Sequence, residues 1–213
     1  MDASADDIWV AKAPSGLRFG PLGSDAIHLC VDMQNMFARG TEWSTPWVER
    51  MLPNIVTLAH HHPDRLAFTR FIPLAQDCDG HGTWQRYYRR YQQMTRGALD
   101  PSLLELVPPL DRLAPPAPTF DKKVYSPWWT PNLNATLRAA NISTLIISGG
   151  ETEVCVLATV IGAIDLGYRV VIAEDALCSS ANATHDAMLD IYHSRFGMQV
   201  ETAKIAEIME SWA

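Results

Sequence analysis

The sequence has few cysteines, no long apolar run and no excess of basic residues, and each absence narrows its possible function. Four cysteines are scattered through 213 residues without a CxxC pair. The N-terminal stretch MDASADDIWVAKAP is acidic and has no apolar segment of the kind found in secretory signals. No run approaches the ~18 consecutive apolar residues of a membrane span. We therefore expect free thiols, a reducing cytoplasmic location and no membrane partner.

The net charge of -7 and the pI of about 5.4 argue against a nucleic-acid partner, since such a partner requires a basic surface. The local exception is QRYYRRYQQMTR, residues 85–96, which contains four arginines and three tyrosines. We interpret this segment as the solvated face of a helix, because long arginine side chains readily cover apolar surface while their charges reach water.

Apolar residues make up 47% of the chain and charged residues 19%, which is typical of a globular protein. The length fits one domain over residues 1–213, preceded by an irregular lead-in over 1–24. A chain of this size buries enough surface to form a core without disulfides or a metal.

Short apolar runs alternate with segments of helical spacing along the whole chain. The predicted strands are 26–33, 65–71, 119–125, 143–148, 168–176 and 198–203. The predicted helices are 46–62, 83–94, 131–140, 152–167, 182–196 and 204–212, with Pro53 expected to break or shift the first and Gly167 to cap the fourth. This order predicts an α/β protein with a three-layer αβα Rossmann-like fold and a central, mostly parallel sheet of about six strands.

Reactive side chains lie at the carboxyl ends of these strands, where open α/β sheets bind their ligands. Asp32 ends the first strand, Lys122 and Lys123 lie late in the third, and Cys155 opens the helix after the fourth. A core-packing role would not place these groups at one edge of the sheet. We expect them to converge there.

Together these groups have the chemistry of an activated nucleophile. A cysteine attacks as the thiolate, so a base must take its proton or its pKa must fall. The start of a helix stabilises an anion, and Thr152 is a plausible N-cap there. A carboxylate can accept the thiol proton, and an ammonium can hold both charges in place. Gly149 and Gly150 allow a tight turn whose N–H groups bind an oxyanion.

Three motifs resemble those of the isochorismatase-like cysteine hydrolase superfamily. They are HLCVDMQNMF, DKKVYSPW and SGGETEVCV, and their order and spacing extend the resemblance over about residues 24–210. The pattern is similar to the amidohydrolase branch, which includes nicotinamidase and N-carbamoylsarcosine amidohydrolase. The resemblance implies that Asp32 is the general base, Lys122 the catalytic lysine and Cys155 the nucleophile. Lys122 is preferred to Lys123 by the spacing of the motif.

The resemblance also implies a cis peptide bond between Gly150 and Glu151. The backbone N–H groups of Glu151 and Cys155 would then form the oxyanion hole. Glu153 stands where the family often has aspartate, which we interpret as a mild change on an exposed turn.

Aromatic residues are the candidates for the substrate pocket. The resemblance implies that Phe37 is a pocket aromatic, and we expect Trp84, Trp128 and Trp129 to bind substrate as well, with Trp43 as a further candidate. Such a pocket suits a flat or apolar acyl group, or a cationic one through cation–π contact, and the sequence does not choose between them.

No metal or cofactor is expected. Metal-binding amidohydrolases of this superfamily have an aspartate and two histidines after the second strand, and this chain has DCDGHG with one histidine. A site formed by Asp77, Asp79 and His81 is the alternative.

The presence of Cys155 favours hydrolysis of a small amide through a thioester, with release of ammonia or an amine, because relatives that cleave the vinyl ether of isochorismate lack this thiol. Two alternatives stay open: a hydrolase of a larger or cyclic amide such as a lactam, ureide or N-carbamoyl compound, and a non-catalytic binding protein. The resemblance also implies a homo-oligomer, a dimer or a tetramer.

Overall fold

The computed structural model describes residues 12–213, so the first 11 residues of the predicted lead-in lie outside the described residues. Six strands form one sheet. They are β1 (Ala26–Val31), β2 (Leu66–Phe71), β3 (Thr119–Lys122), β4 (Thr144–Gly150), β5 (Arg169–Cys178) and β6 (Val200–Ala203). Their order is β3-β2-β1-β4-β5-β6, and every neighbouring pair is parallel. The predicted α/β fold with a parallel sheet of about six strands is therefore confirmed.

Helices cover both faces of this sheet. They are α1 (Asn35–Ala38), α2 (Pro46–His61), α3 (Thr83–Arg90), α4 (Leu133–Ala139), α5 (Leu157–Asp165), α6 (Asn182–Ser194) and α7 (Ile205–Ser211). One core cluster joins α2 and α7 to one face of the sheet, and a second cluster joins α4, α5 and α6 to the other face. Successive residues of β1 alternate between the clusters, with Leu29 in one and Cys30 in the other, as the two-residue repeat of a strand requires.

The expected interruption of α2 at Pro53 does not occur. The helix runs unbroken from Pro46 to His61 with Pro53 inside it. Proline removes the N–H that would bond to the carbonyl four residues earlier, here that of Glu49. Both Glu49 and Pro53 are exposed, so water can satisfy that carbonyl and the helix continues. The expectation failed because it ignored which face of the helix carries the proline.

The segment after β4 differs from the regular helix predicted over 152–167. It begins as a π-helical turn, Thr152–Val156, and continues as α5. Gly167 has a φ of +80°, and the N–H of Tyr168 bonds back to the carbonyl of Ala163, so the predicted C-terminal cap is confirmed.

The chain turns in opposite directions after β1 and β4, which lie side by side in the centre of the sheet. This arrangement opens a crevice beyond the carboxyl ends of the two strands, the usual place for a ligand in such sheets. Within residues 12–213, no helix has the length and apolar character needed to cross a membrane. All four cysteines are free thiols, as expected.

Candidate active site

Asp32 follows β1 directly and is 2% exposed. One carboxylate oxygen accepts a hydrogen bond of 2.6 Å from the Thr69 hydroxyl, and its backbone N–H donates to the Thr69 carbonyl at 3.1 Å. Its φ of +51° is uncommon for a residue other than glycine. Such a conformation persists where the surroundings enforce it, and it recurs at functional sites.

Gln34 ties the end of β1 to the end of β2. Its amide oxygen accepts from the N–H of Phe71 at 2.7 Å, and its amide nitrogen donates to the carbonyls of Phe71 and Leu104 at 3.1 and 2.8 Å. Gln34 is fully buried, and this bonding explains the glutamine of the HLCVDMQNMF motif. Its role is to hold in place the strand ends that carry Asp32 and Phe71.

Lys122 is the last residue of β3 and is 3% exposed. Its side chain passes the Phe71 ring, with Nζ 5.1 Å from the ring centroid. Nζ then lies 2.6 Å from the second carboxylate oxygen of Asp32 and 3.3 Å from Sγ of Cys155. Lys123 is exposed, so only one of the two neighbouring lysines faces the site.

Cys155 lies in the π-helical turn after β4 and is 7% exposed. Burial raises the pKa of its thiol, and the hydrogen-bonded Asp32 carboxylate raises it further, against the opposing effect of the Lys122 ammonium. Burial disfavours the Lys122 ammonium, but its attraction to Asp32 and Cys155 leaves the lysine pKa above its ordinary value. These two shifts favour a neutral Cys155 thiol beside the Lys122 ammonium.

The turn that carries Cys155 requires glycine at its start. Gly149 has a φ of +100°, and a Cβ placed there would lie 2.1 Å from the carbonyl oxygen of Val31. Only a residue without a side chain allows β4 to pass so close to β1. The Gly150–Glu151 peptide bond is cis, and the N–H of Glu151 has no hydrogen-bond acceptor within residues 12–213.

Thr152 and Glu153 anchor the same turn through side-chain hydrogen bonds. Thr152 is not the N-cap, since its hydroxyl donates to the carbonyl of Cys178 and lies 3.0 Å from Nδ1 of His185. Glu153 is half-buried rather than exposed, and it accepts hydrogen bonds from the hydroxyls of Ser179 and Thr184 at 2.9 and 2.6 Å. Both residues hold the turn against the end of β5 and the start of α6.

A cavity of about 370 Å³ opens over Cys155. Its lining is Phe37, Glu42, Trp43, Ser44, Phe71, Tyr87, Tyr91, Tyr125, Gly150, Glu151, Val154, Cys155 and Ser180. Trp43 is the centre of the aromatic wall, with its ring centroid 5.8 to 6.2 Å from those of Phe37, Phe71, Tyr87 and Tyr91.

The other tryptophans proposed from the sequence lie elsewhere. Trp84 and Trp129 both border an adjacent open depression. The Trp84 ring lies 4.9 Å from that of Tyr125, and Trp129 is 83% exposed. Trp128 lies outside the cavity over Cys155: its Nε1 donates to the carbonyl of Thr159 at 2.8 Å, and a Cβ at Gly162 would be 2.0 Å from its ring. Trp128 therefore packs against α5, a correction to its predicted substrate-binding position.

Sequence reasoning missed several lining residues, namely Phe71, Tyr87, Tyr91 and Tyr125. Tyr87 and Tyr91 come from the segment 85–96, which we had interpreted only as a solvated face. Their spacing of four residues puts them on one side of α3 and its extension, and this signal was available in the sequence.

The side chains of Asp77, Asp79 and His81, the alternative metal site, are not grouped as ligands in the described residues. Within the part of the chain that the structure describes, no group of three His, Cys, Asp or Glu side chains is arranged to hold a metal ion. Asp79 instead accepts a hydrogen bond of 3.0 Å from the backbone N–H of Gln76, which closes a short turn.

Comparisons with known proteins identify relatives of this chain. The protein YaaI of Bacillus subtilis (strain 168), an uncharacterized isochorismatase family protein, is 24% identical over 181 residues, covering 84% of this chain and 94% of YaaI. A cysteine hydrolase from Pseudomonas syringae pv. phaseolicola 1448A superposes with a TM-score of 0.77 at 20% identity, over 93% of this chain and 97% of that chain. An N-carbamoylsarcosine amidase from Thermoplasma acidophilum gives 0.68 at 18% identity, over 84% and 96%.

These structural likenesses show a shared fold. The family itself is shown by the sequence, because the family model of the isochorismatase domain matches residues 26–204. This match spans most of the chain and includes all three motifs. The chain therefore belongs to the isochorismatase family.

Proposed function

We propose that this protein hydrolyses an amide-type C–N bond of a small molecule through a thioester on Cys155. Members of its family are hydrolases, and amidases are among them. The observation that carries the proposal is the position of the Lys122 ammonium, 2.6 Å from Asp32 and 3.3 Å from the Cys155 sulfur. A carboxylate and an ammonium beside one thiol supply the base and the charge compensation that a thiolate needs.

The first step forms the thioester. The thiol proton moves to Asp32 as Sγ attacks the carbonyl carbon, and the Lys122 ammonium balances the negative charge while it moves. The tetrahedral oxyanion takes hydrogen bonds from the N–H groups of Glu151 and Cys155. Asp32 then returns the proton to the leaving nitrogen, the C–N bond breaks, and ammonia or an amine departs.

The second step releases the acid. A water molecule gives a proton to Asp32 and attacks the thioester carbon, and collapse of the second tetrahedral intermediate breaks the C–S bond. The proton returns to the sulfur as the carboxylic product leaves. The sum is one amide and one water converted to one acid and one amine, with no redox change.

The cavity volume supports a small substrate. About 370 Å³ lies at the lower end of the range for small-molecule sites. This volume accommodates a simple amide and also a small lactam, ureide or N-carbamoyl compound. The intact set of Asp32, Lys122 and Cys155 favours turnover over the non-catalytic alternative.

The test is release of ammonia or amine from a panel of alkyl, aryl and N-carbamoyl amides by wild type and Cys155→Ala. We expect turnover in wild type and none in the variant, and acid quenching of wild type during turnover should trap an acyl adduct on Cys155, seen by intact mass. Cys78→Ala is the matched control, because Cys78 is exposed and lies outside the site. Undiminished turnover by Cys155→Ala would disprove the mechanism.

The homo-oligomer implied by the resemblance is a separate proposal. It is supported by Trp129, whose indole is 83% exposed beside Tyr125 at the rim of the site. Burial of such a ring between subunits would remove a large apolar surface from water. Light scattering after size exclusion measures the mass directly, and a monomer at micromolar concentration would contradict it.

A further inference from the structure

One wall of the cavity over Cys155 is formed by aromatic rings. Six aromatic rings line it: Phe37, Trp43, Phe71, Tyr87, Tyr91 and Tyr125. The rings of Tyr87 and Tyr91 lie 4.8 Å apart, and both are within 6 Å of Trp43. Ring faces grouped in this way attract alkylammonium cations, with Trp the strongest of the three types.

The charged residues that line the cavity are all acidic. Its lining contains two carboxylates, those of Glu42 and Glu151, and no Lys, Arg or His. The carboxylate of Glu42 is paired with Arg90 at 3.0 Å at the surface. The Lys122 ammonium beneath the cavity is already paired with Asp32.

Glu151 is the carboxylate without a countercharge. Within residues 12–213 it makes no salt bridge, and it is half-buried on the cavity wall. Burial, together with the nearby negative charge of Glu153, raises the pKa of Glu151 to about 7. Holding a partly buried carboxylate in this way costs free energy that a bound cation would recover.

We propose that the substrate is a cationic amide, whose alkylammonium group binds among Trp43, Tyr87 and Tyr91 with its charge compensated by Glu151. This inference rests on the proposed function, since it takes the amide carbon to lie at Cys155. An acyl group bearing a carboxylate is disfavoured, because it would face Glu151 without a cation to bind it. A neutral flat acyl group would fill the aromatic space but leave Glu151 uncompensated.

Glu151 has two roles in this arrangement, one for its backbone and one for its side chain. The backbone N–H of Glu151 faces the oxyanion, while its carboxylate recognises the distant cation. Substitution by glutamine keeps the backbone and the side-chain shape and removes only the charge. Glu151→Gln therefore tests charge recognition in binding measurements that involve no turnover.

The probes are trimethylammonio-alkanamides with one to four methylenes between the ammonium and the amide. Each has a carbon isostere in which a tert-butyl group replaces the trimethylammonium group, with the same shape and no charge. Affinities are measured by calorimetry at pH 8 on Cys155→Ala, which cannot turn over, and on Cys155→Ala with Glu151→Gln. Cys155→Ala with Glu210→Gln is the matched control, since Glu210 is exposed on α7 and outside the lining. Ammonia release by wild type is measured with the same compounds.

We expect the best cationic amide to bind at least about tenfold more tightly than its isostere, and Glu151→Gln to remove most of that preference while Glu210→Gln leaves it intact. Equal binding of the two, tighter binding of the isostere, or no binding of any cationic probe would overturn the inference. Hydrolysis of the neutral isosteres in that case would leave the proposed function standing. Selective binding of the cation without hydrolysis would support cation recognition by this cavity and reject the proposed function.

Discussion

The Lys122 ammonium lies 2.6 Å from a carboxylate oxygen of Asp32, and both side chains are buried beneath the cavity. The two residues end strands that are not neighbours in the sheet, since β2 lies between β3 and β1. The lysine side chain bridges this gap by passing the ring of Phe71. The pair therefore connects the ends of β1, β2 and β3 to Cys155.

Breaking this pair should cost stability. In Lys122→Met the Asp32 carboxylate stays buried without a cation, and we expect a loss of about 3–5 kcal/mol in the free energy of unfolding. The double variant Lys122→Met with Asp32→Asn should recover much of that loss, because neither charge is then left unpaired. Urea unfolding of both single variants and the double variant measures the coupling. Simple additivity of the two single effects would contradict a coupled pair.

Asp32→Asn should slow the proposed chemistry in protein that is still folded, although the unpaired Lys122 ammonium lowers its stability. Asp32→Asn keeps the shape of the side chain but cannot accept the thiol proton, so kcat should fall by roughly 10²–10⁴-fold at neutral pH. The measurement is kcat on the best amide of the panel, with circular dichroism to verify folding. A variant with full kcat would exclude Asp32 as the proton acceptor.

Gly149 should be intolerant of a side chain for steric reasons as well as conformational ones. Its φ is +100°, and an added Cβ would lie 2.1 Å from the Val31 carbonyl oxygen. Gly40 also has a positive φ, +73°, but a Cβ there would meet nothing within 4 Å. We expect Gly40→Ala to cost about 1 kcal/mol and Gly149→Ala several times more, with loss of activity. Equal unfolding midpoints for the two variants would contradict the close approach of β4 to β1.

Recognition of a cation by Glu151 should depend on pH. Its pKa of about 7 lies above the ordinary value of 4.5, so the carboxylate loses its charge as the pH falls below 7. The groups that face it are Glu153, Tyr125 and Cys178, and burial raises the pKa values of Tyr125 and Cys178 above their ordinary alkaline values. Affinity for a cationic amide should therefore fall about tenfold between pH 8 and pH 6, once Glu151 is mostly protonated.

The controls for this pH effect are the carbon isostere and Glu151→Gln. Affinity for the isostere should change little over the same range, since it carries no charge. The variant should show a flat profile for both compounds. If the affinity of Glu151→Gln for the cationic amide fell in the same way, the titrating group would be one other than Glu151.

The raised pKa of Glu151 also determines how this residue affects folding stability as the pH changes. The folded protein holds the Glu151 proton up to about pH 7, whereas the unfolded chain releases it near 4.5. Folding stability from this group is therefore present below pH 4.5 and is lost as the pH rises to 7. Glu151→Gln should accordingly raise the unfolding midpoint at pH 8 relative to wild type and leave it unchanged at pH 4. The opposite order would contradict the raised pKa.

The sequence by itself was enough to predict the order of the strands along the chain and the residues at their carboxyl ends. Parallel strands buried on both faces appear as short, nearly continuous apolar runs, so their ends can be recognised in the sequence. Asp32, Lys122 and Cys155 each stand at such an end or just beyond it. The topology of a parallel sheet then brings them to one edge.

Only the tertiary structure decided which aromatic residues surround the thiol. Trp128 and Trp129 are adjacent in sequence, yet one packs against α5 and the other is exposed, because a turn points consecutive side chains in different directions. The cavity is lined from segments far apart in the chain, with Trp43 before α2 and Tyr87 in α3. Local sequence patterns indicate which residues of a segment are buried. Contacts between side chains that are distant in sequence depend on how the helices and strands pack together. The charge of Glu151 can act on a ligand only because packing places it on the wall of that cavity.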